Sequence, residues 1–165
     1  MSYDIQKLVE RVVKETVKSP SEPGSRENKK MSLSLARQIV DKVKLKAKET
    51  GVNAVVAIAD AGANIITVDC MDGAYIASYD IAVNKAFTSA ALKMSTYDIG
   101  KLAQPGAPLY GIQNTNNGRI VIFGGGEPLE ADGNVIGGLG VSGGTAEQDT
   151  FLGRYGRQVF EELFK

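Results

Sequence analysis

Residues 53–71 read Asn53-Ala-Val-Val-Ala-Ile-Ala-Asp-Ala-Gly-Ala-Asn-Ile-Ile-Thr-Val-Asp-Cys-Met71. The first part, Asn53 to Asp60, is too uniformly apolar to face water on either side, which predicts a central strand. Asp60-Ala-Gly-Ala-Asn64 is a turn, and Ile65 to Met71 returns as a second strand, so the stretch predicts a hairpin. Working outward, a helix is predicted from Ser32 or Ser34, either of which can cap it, to about Thr50. Its inward stripe is Leu33, Ala36, Val40, Val43 and Ala47, and Gly51 ends it. On the other side a longer helix runs from Ile76 to Met94, with Ile76, Tyr79, Val83, Phe87, Ala90 and Met94 at helical spacing. Ser95 and Asp98 predict the capped start of a short helix, Thr96 to Ala103.

The next fifteen or so residues, containing Pro105, Gly106, Pro108, Gly111 and Gly118, form a long loop, and long loops inside compact domains are often functional. Arg119 to Phe123 is expected to be a strand that Gly124-Gly125-Gly126 breaks. The Ala131-Asp132-Gly133 turn leads to a last strand, Asn134 to Val141. Thr145 with Gln148 predicts a capping box for a terminal helix that buries Leu152, Tyr155, Val159 and Leu163. Helix, hairpin, helices, hairpin, helix describes an antiparallel sheet with helices on it rather than repeated βαβ units.

The 165-residue chain suits one domain plus an appendage. Residues 5–17 place Ile5, Leu8, Val9, Val12, Val13 and Val17 on one side of an amphipathic helix. Residues 18–30, with two prolines, a glycine and three serines, read as a flexible linker, and 31–165 as the domain proper. Nineteen Lys and Arg balance nineteen Asp and Glu, so no long-range field attracts a polyanion, and nucleic acid is not an expected partner. No apolar run reaches the roughly 18 residues that a membrane-spanning helix needs. One cysteine, Cys70, precludes an intrachain disulfide, and with no signal peptide evident the expected location is the cytoplasm. Cys70 sits on a strand among apolar residues and is expected to behave as a small hydrophobe.

The chain has no histidine, so chemistry must rest on carboxylates, lysine, tyrosine, hydroxyls or backbone amides. Lys85 is a cation within an otherwise apolar helix. It either reaches a carboxylate or snorkels to solvent, and snorkelling is the ordinary expectation. Asp60, Asp69, Asp72, Glu127, Glu147 and Asp149 are candidate carboxylates, though most sit where turns and helix starts favour them anyway. Gly124-Gly125-Gly126 reads as a bulge or tight strand exit rather than a phosphate cradle, because it has no P-loop lysine and no helix beneath it. Gly143-Gly144-Thr145 does open onto a helix N-terminus, where free amides could hold an anion. Tyr110, Asn114 and Asn116 supply polar groups in the long loop, although Asn is also a plain turn former.

Val56-Ala-Ile-Ala-Asp-Ala-Gly62, Met71-Asp-Gly-Ala74, Ile81-Ala-Val-Asn-Lys-Ala86, Leu102-Ala-Gln-Pro-Gly106, Pro108-Leu-Tyr-Gly111, Ile122-Phe-Gly-Gly-Gly126 and Gly140-Val-Ser-Gly-Gly-Thr-Ala-Glu-Gln-Asp149 occur in this order. Together they resemble the GlcG/HbpS/PduO-C-terminal family over about residues 31 to 164. The resemblance implies an α/β (α+β) fold with a five-stranded antiparallel sheet in profilin-like α/β/α layering, and assembly into homo-oligomers. It also implies binding of a haem- or corrinoid-type cofactor (haem or cobalamin), near Tyr110, Asn114, Asn116, Gly143, Gly144 and Thr145.

Cys70 departs from the arginine that many members carry there, and the absence of histidine rules out histidine ligation of haem. The N-terminal segment resembles the encapsulation peptides that recruit proteins into bacterial microcompartments. Ile5, Leu8, Val9, Val12 and Val13 would dock on shell or core proteins, the alternative being a helix that closes on its own domain or oligomer. The leading expectation is thus a microcompartment accessory protein that binds a tetrapyrrole. The alternatives are an enzyme using Lys85 with Asp60 or Glu147 as acid and base, and a purely structural oligomer.

Overall fold

A computed structural model describes residues 30–164; the predicted amphipathic helix of residues 1–17 and nearly all of the linker lie outside the described residues. Helix α1 (Leu33–Glu49) starts at Ser32, whose hydroxyl accepts from the Leu35 amide at 3.1 Å. Strands β1 (Val55–Asp60) and β2 (Ile65–Cys70) form the expected antiparallel hairpin. Helix α2 (Ile76–Leu92) ends at Lys93 in a left-handed conformation, and α3 (Thr96–Leu102) is capped by Ser95. Two short 3₁₀ turns, Ile112–Asn114 and Asn116–Gly118, occupy the long loop. Strands β3 (Gly126–Ala131) and β4 (Asn134–Ser142) follow, and α4 (Ala146–Leu163) begins with the Thr145/Gln148 capping box.

The sheet has four strands in the order β2-β1-β4-β3, all neighbours antiparallel, not the five that the resemblance implied. Arg119 to Phe123, expected as a strand, lies in none. Its backbone is held by a helix side chain instead: Thr88 Oγ1 donates to the Arg119 carbonyl at 3.2 Å and accepts from the Val121 amide at 3.1 Å. The edge strand begins only after the glycines, and it contains Pro128, a residue sheets accept at an edge.

Alternation along β1 divides the core. Val56 and Ile58 pack with Ile39, Val43, Leu139, Leu152 and Phe160 beneath α1 and α4, while Val55, Ala57 and Ala59 meet Ala82 and Ala86 of α2 on the opposite face. The second face is lined by small groups. A Cβ at Gly140 would stand 2.0 Å from the Ala82 carbonyl oxygen, and one at Gly138 2.3 Å from that of Ala86, so α2 lies almost backbone-to-backbone on β4. This close approach selects Ser78, Ala82, Ala86 and Ser89 as the inward side of α2. The predicted stripe is therefore corrected: Ile76 is 98% exposed and Tyr79 is also exposed, because the larger side chains do not fit beneath the helix. In α1, Leu33 is likewise exposed and Ile39 takes a core position. Cys70, read as a small hydrophobe, is exposed on the edge strand β2.

Candidate functional site

The same close face carries one long side chain. Lys85 is fully buried rather than snorkelling, and its Nζ donates to Asp149 Oδ2 and to the Val141 carbonyl, both at 2.8 Å. The Phe123 ring covers the ammonium from 4.9 Å. Asp149, in the first turn of α4, accepts from the Gly144 amide through Oδ1 at 2.9 Å. Gly125, at φ +111°, closes over the pair; a Cβ there would stand 2.8 Å from Nζ and 2.6 Å from the Val141 oxygen. Burial holds the Lys85 ammonium below its usual range, opposed by the Asp149 carboxylate. With the ammonium's donors directed at a carboxylate, a carbonyl and a ring face, the arrangement ties α2, β4, the glycine triplet and the start of α4 together.

Lys85 therefore meets Asp149, and neither Asp60 nor Glu147 is its partner. Asp60 pairs with Gly137 at the far end of β1, whereas Lys85 contacts Val141, four residues away on β4, or about 13 Å along the strand. The Asp60 carboxylate is engaged in its own turn, accepting from the Gly62 amide at 2.8 Å and the Asn64 amide at 2.9 Å. Glu147 is exposed, its carboxyl held low by its own backbone amide and the Thr145 hydroxyl. The helix-start amides are also taken within the chain: Gly144 by Asp149, Thr145 by the Gln148 side chain at 2.9 Å, and Gln148 by the Thr145 hydroxyl at 3.2 Å. Gly143 packs on the Asn53–Ala54 backbone. Tyr110, Asn114 and Asn116 are exposed in the long loop and line neither of the clefts that flank Arg154.

Outside the lid over Lys85, the structure forms a cleft of about 520 Å³ between α3, residues 122–124 and α4. Its walls are Tyr97, Phe123 and Phe151, three aromatic rings that are roughly half-exposed. Thr150 closes its base, where a Cβ at Gly124 would fall 1.8 Å from the Thr150 hydroxyl. Lys101 and Arg154 stand at the rim and lie over the Tyr97 ring at 4.3 and 5.1 Å. The result is an aromatic-walled slot whose rim carries Lys101, Arg154 and the carboxylate of Glu147. Sequence periodicity did not single out these residues: Phe151 stands four positions before Tyr155, so a helical wheel alone leaves its side undecided, and the structure turns it outward. Among the described residues there is no group of three or more Cys, Asp or Glu suited to a metal ion, and no helix long and apolar enough to cross a membrane.

The chain is similar to proteins of one lineage. It is 45% identical, over 81% of its own length and 94% of the relative's, to a 15.0 kDa protein of the dhaT-dhaS intergenic region of Citrobacter freundii. It is 36% identical to the corrinoid adenosyltransferase PduO of Salmonella typhimurium over 86% of this chain but only 43% of that enzyme. Its fold matches the crystal structure of the PduOC:haem complex with a TM-score of 0.77 and 35% identity, over 79% of this chain and 95% of that one. Since residues 31–157 also match the family described as "Haem degrading protein HbpS-like", and these relatives are matched over about four fifths of the chain, the chain belongs to the HbpS-like family.

Proposed function

We propose that this protein binds a haem-type tetrapyrrole in the cleft between α3 and α4. The observation that carries the reading is the combination of three outward-facing aromatic rings, Tyr97, Phe123 and Phe151, with two rim cations, Lys101 and Arg154, around one slot. Flat aromatic walls suit a planar macrocycle, and the cations suit the two propionates of haem. The uncharged amide periphery of a cobalamin makes less use of the same rim. Haem binding by the PduOC domain, a relative at 35% identity, supports the choice. Tyr97 is the lining residue that matches a known protein ligand of haem iron, and bound haem would supply redox or oxygen chemistry at that wall.

Absorbance titration with haemin tests this directly. A saturable one-to-one Soret change is expected, weakened at least tenfold in Phe123→Ala/Arg154→Met, with Tyr97→Phe altering the spectrum more than the affinity. No saturable change in the unsubstituted protein overturns the reading.

The periodicity of Ile5, Leu8, Val9, Val12 and Val13 supports a second reading, that residues 1–17 address the protein to a bacterial microcompartment. A fusion of residues 1–17 to a fluorescent protein should give puncta in compartment-forming cells, and Leu8→Glu/Val12→Glu should disperse them. Diffuse signal in both would return the segment to the domain or its oligomer.

A further inference from the structure

A second cleft, of about 550 Å³, lies on the other side of Arg154, between the end of α2, β3 and α4. Into it faces Glu127, a carboxylate whose residue is only 3% exposed. Its nearest cation, Arg157 Nη1, is 4.0 Å from Oε2, too far for a hydrogen bond, and its side chain accepts no hydrogen bond from any described residue. A buried carboxylate without hydrogen bonds is costly, and burial accordingly pushes the Glu127 carboxyl upward against the pull of Arg157 and Arg154.

The other charges of the cleft divide into committed and uncommitted groups. Asp98 is paired with Lys101 at 2.9 Å, and Glu161 with Arg157 Nε at 3.1 Å. Lys93 and Arg154 form no ion pair with a described carboxylate, while Glu130 is exposed at the rim. What remains is a carboxylate at the cleft wall that accepts no hydrogen bond from a described residue, beside Lys93 and Arg154, which make no ion pair within 4 Å among the described residues.

We propose that this cleft binds a small hydroxylated anion, a molecule with one phosphate or carboxylate head for Lys93 and Arg154 and a hydroxyl that donates to Glu127. A hydroxyl held by a carboxylate that no protein donor satisfies gives the site discrimination against deoxy analogues, because their binding displaces water from the acceptor and donates nothing in return. This inference stands apart from the haem reading, although Arg154 borders both clefts.

The probes are glycerol 3-phosphate, propyl phosphate as its deoxy analogue, and inorganic phosphate, followed by amide chemical shifts of the full chain. Glycerol 3-phosphate should saturate shifts around Lys93, Glu127 and Arg154 and bind at least tenfold more tightly than propyl phosphate. Lys93→Asn, which keeps a residue tolerant of the left-handed conformation there, should weaken both ligands several-fold. Glu127→Leu should erase the difference between them, and Glu127→Gln should retain part of it. Equal binding of all three probes, or saturation by none at millimolar concentration, overturns the proposal. Haemin titration of Lys93→Asn and Glu127→Leu should match the unsubstituted protein, so failure of haem binding and failure of this site are separate results.

Discussion

Three charged residues are buried among the described residues, Lys85 and Asp149 as a pair and Glu127 apart from them, and the pair and the single charge are treated differently. On the α2 side, among Ala57, Ala59, Gly138 and Gly140, Lys85 has a carboxylate, a carbonyl and a ring arranged around it. On the side of α1 and α4, Glu127 pairs in register with the core residue Leu139 yet has only the guanidinium groups of Arg157 and Arg154 for company, neither within hydrogen-bond distance. A buried charge fully surrounded by its own chain fixes structure, whereas one left short of partners is available to something outside the chain. The difference thus separates an internal clasp from a candidate ligand contact, and it does so without reference to which residue type is more often catalytic.

Breaking the clasp should give the largest effect. Asp149→Ala leaves an uncompensated buried ammonium and should lower unfolding free energy by about 3–5 kcal/mol in denaturant titration. Adding Lys85→Met alongside Asp149→Asn should recover at least half of that loss. On the aliphatic face Leu152→Ala should cost about 2–5 kcal/mol by the same measurement, and no second charge substitution should recover it. If the double variant at the clasp is no better than the single, Lys85 and Asp149 do not act as a coupled pair.

Glu127→Gln should have a smaller effect, of opposite sign. The folded carboxyl is raised above its reference of 4.5, so the folded state holds its proton more tightly, and stability falls as pH rises from 4.5 through the folded value. Removing the charge should therefore raise the melting temperature at pH 7 and leave it nearly unchanged at pH 4. A destabilised variant at pH 7 would mean that the carboxylate is better satisfied than its surroundings indicate. The smallest effect on the folded chain belongs to Ile76→Ser at the outward side of α2, within about 0.5 kcal/mol. If sedimentation then shows a smaller assembly than for the unsubstituted protein, that side is the contact between copies.

The elements that local chemistry controls were legible in the sequence. Ser32, Ser95 and Thr145 cap their helices as read, and the hairpin turn at Asp60 is held by that residue's own carboxylate. Misreadings arose where tertiary approach decides. The inward side of α2 followed from glycines on β4, more than forty residues away, and a helical wheel drawn on α2 alone contains no trace of them. Arg119 to Phe123 has strand-like composition, but Thr88 supplies the backbone partners that a neighbouring strand would have supplied. Lys85 was visible as an anomaly. Its partner was one of six carboxylates, and choosing Asp149 required knowing that α4 starts beside Val141.

Pro128 places a residue without an amide hydrogen in the outer strand β3, between two carboxylates at Glu127 and Glu130. A neighbouring chain that tried to extend the sheet at this margin would find a missing donor and like charges along it. Fibre-like growth is thereby blocked at one side of the molecule, and copies of the domain can be concentrated in a confined space without zipping together along β3.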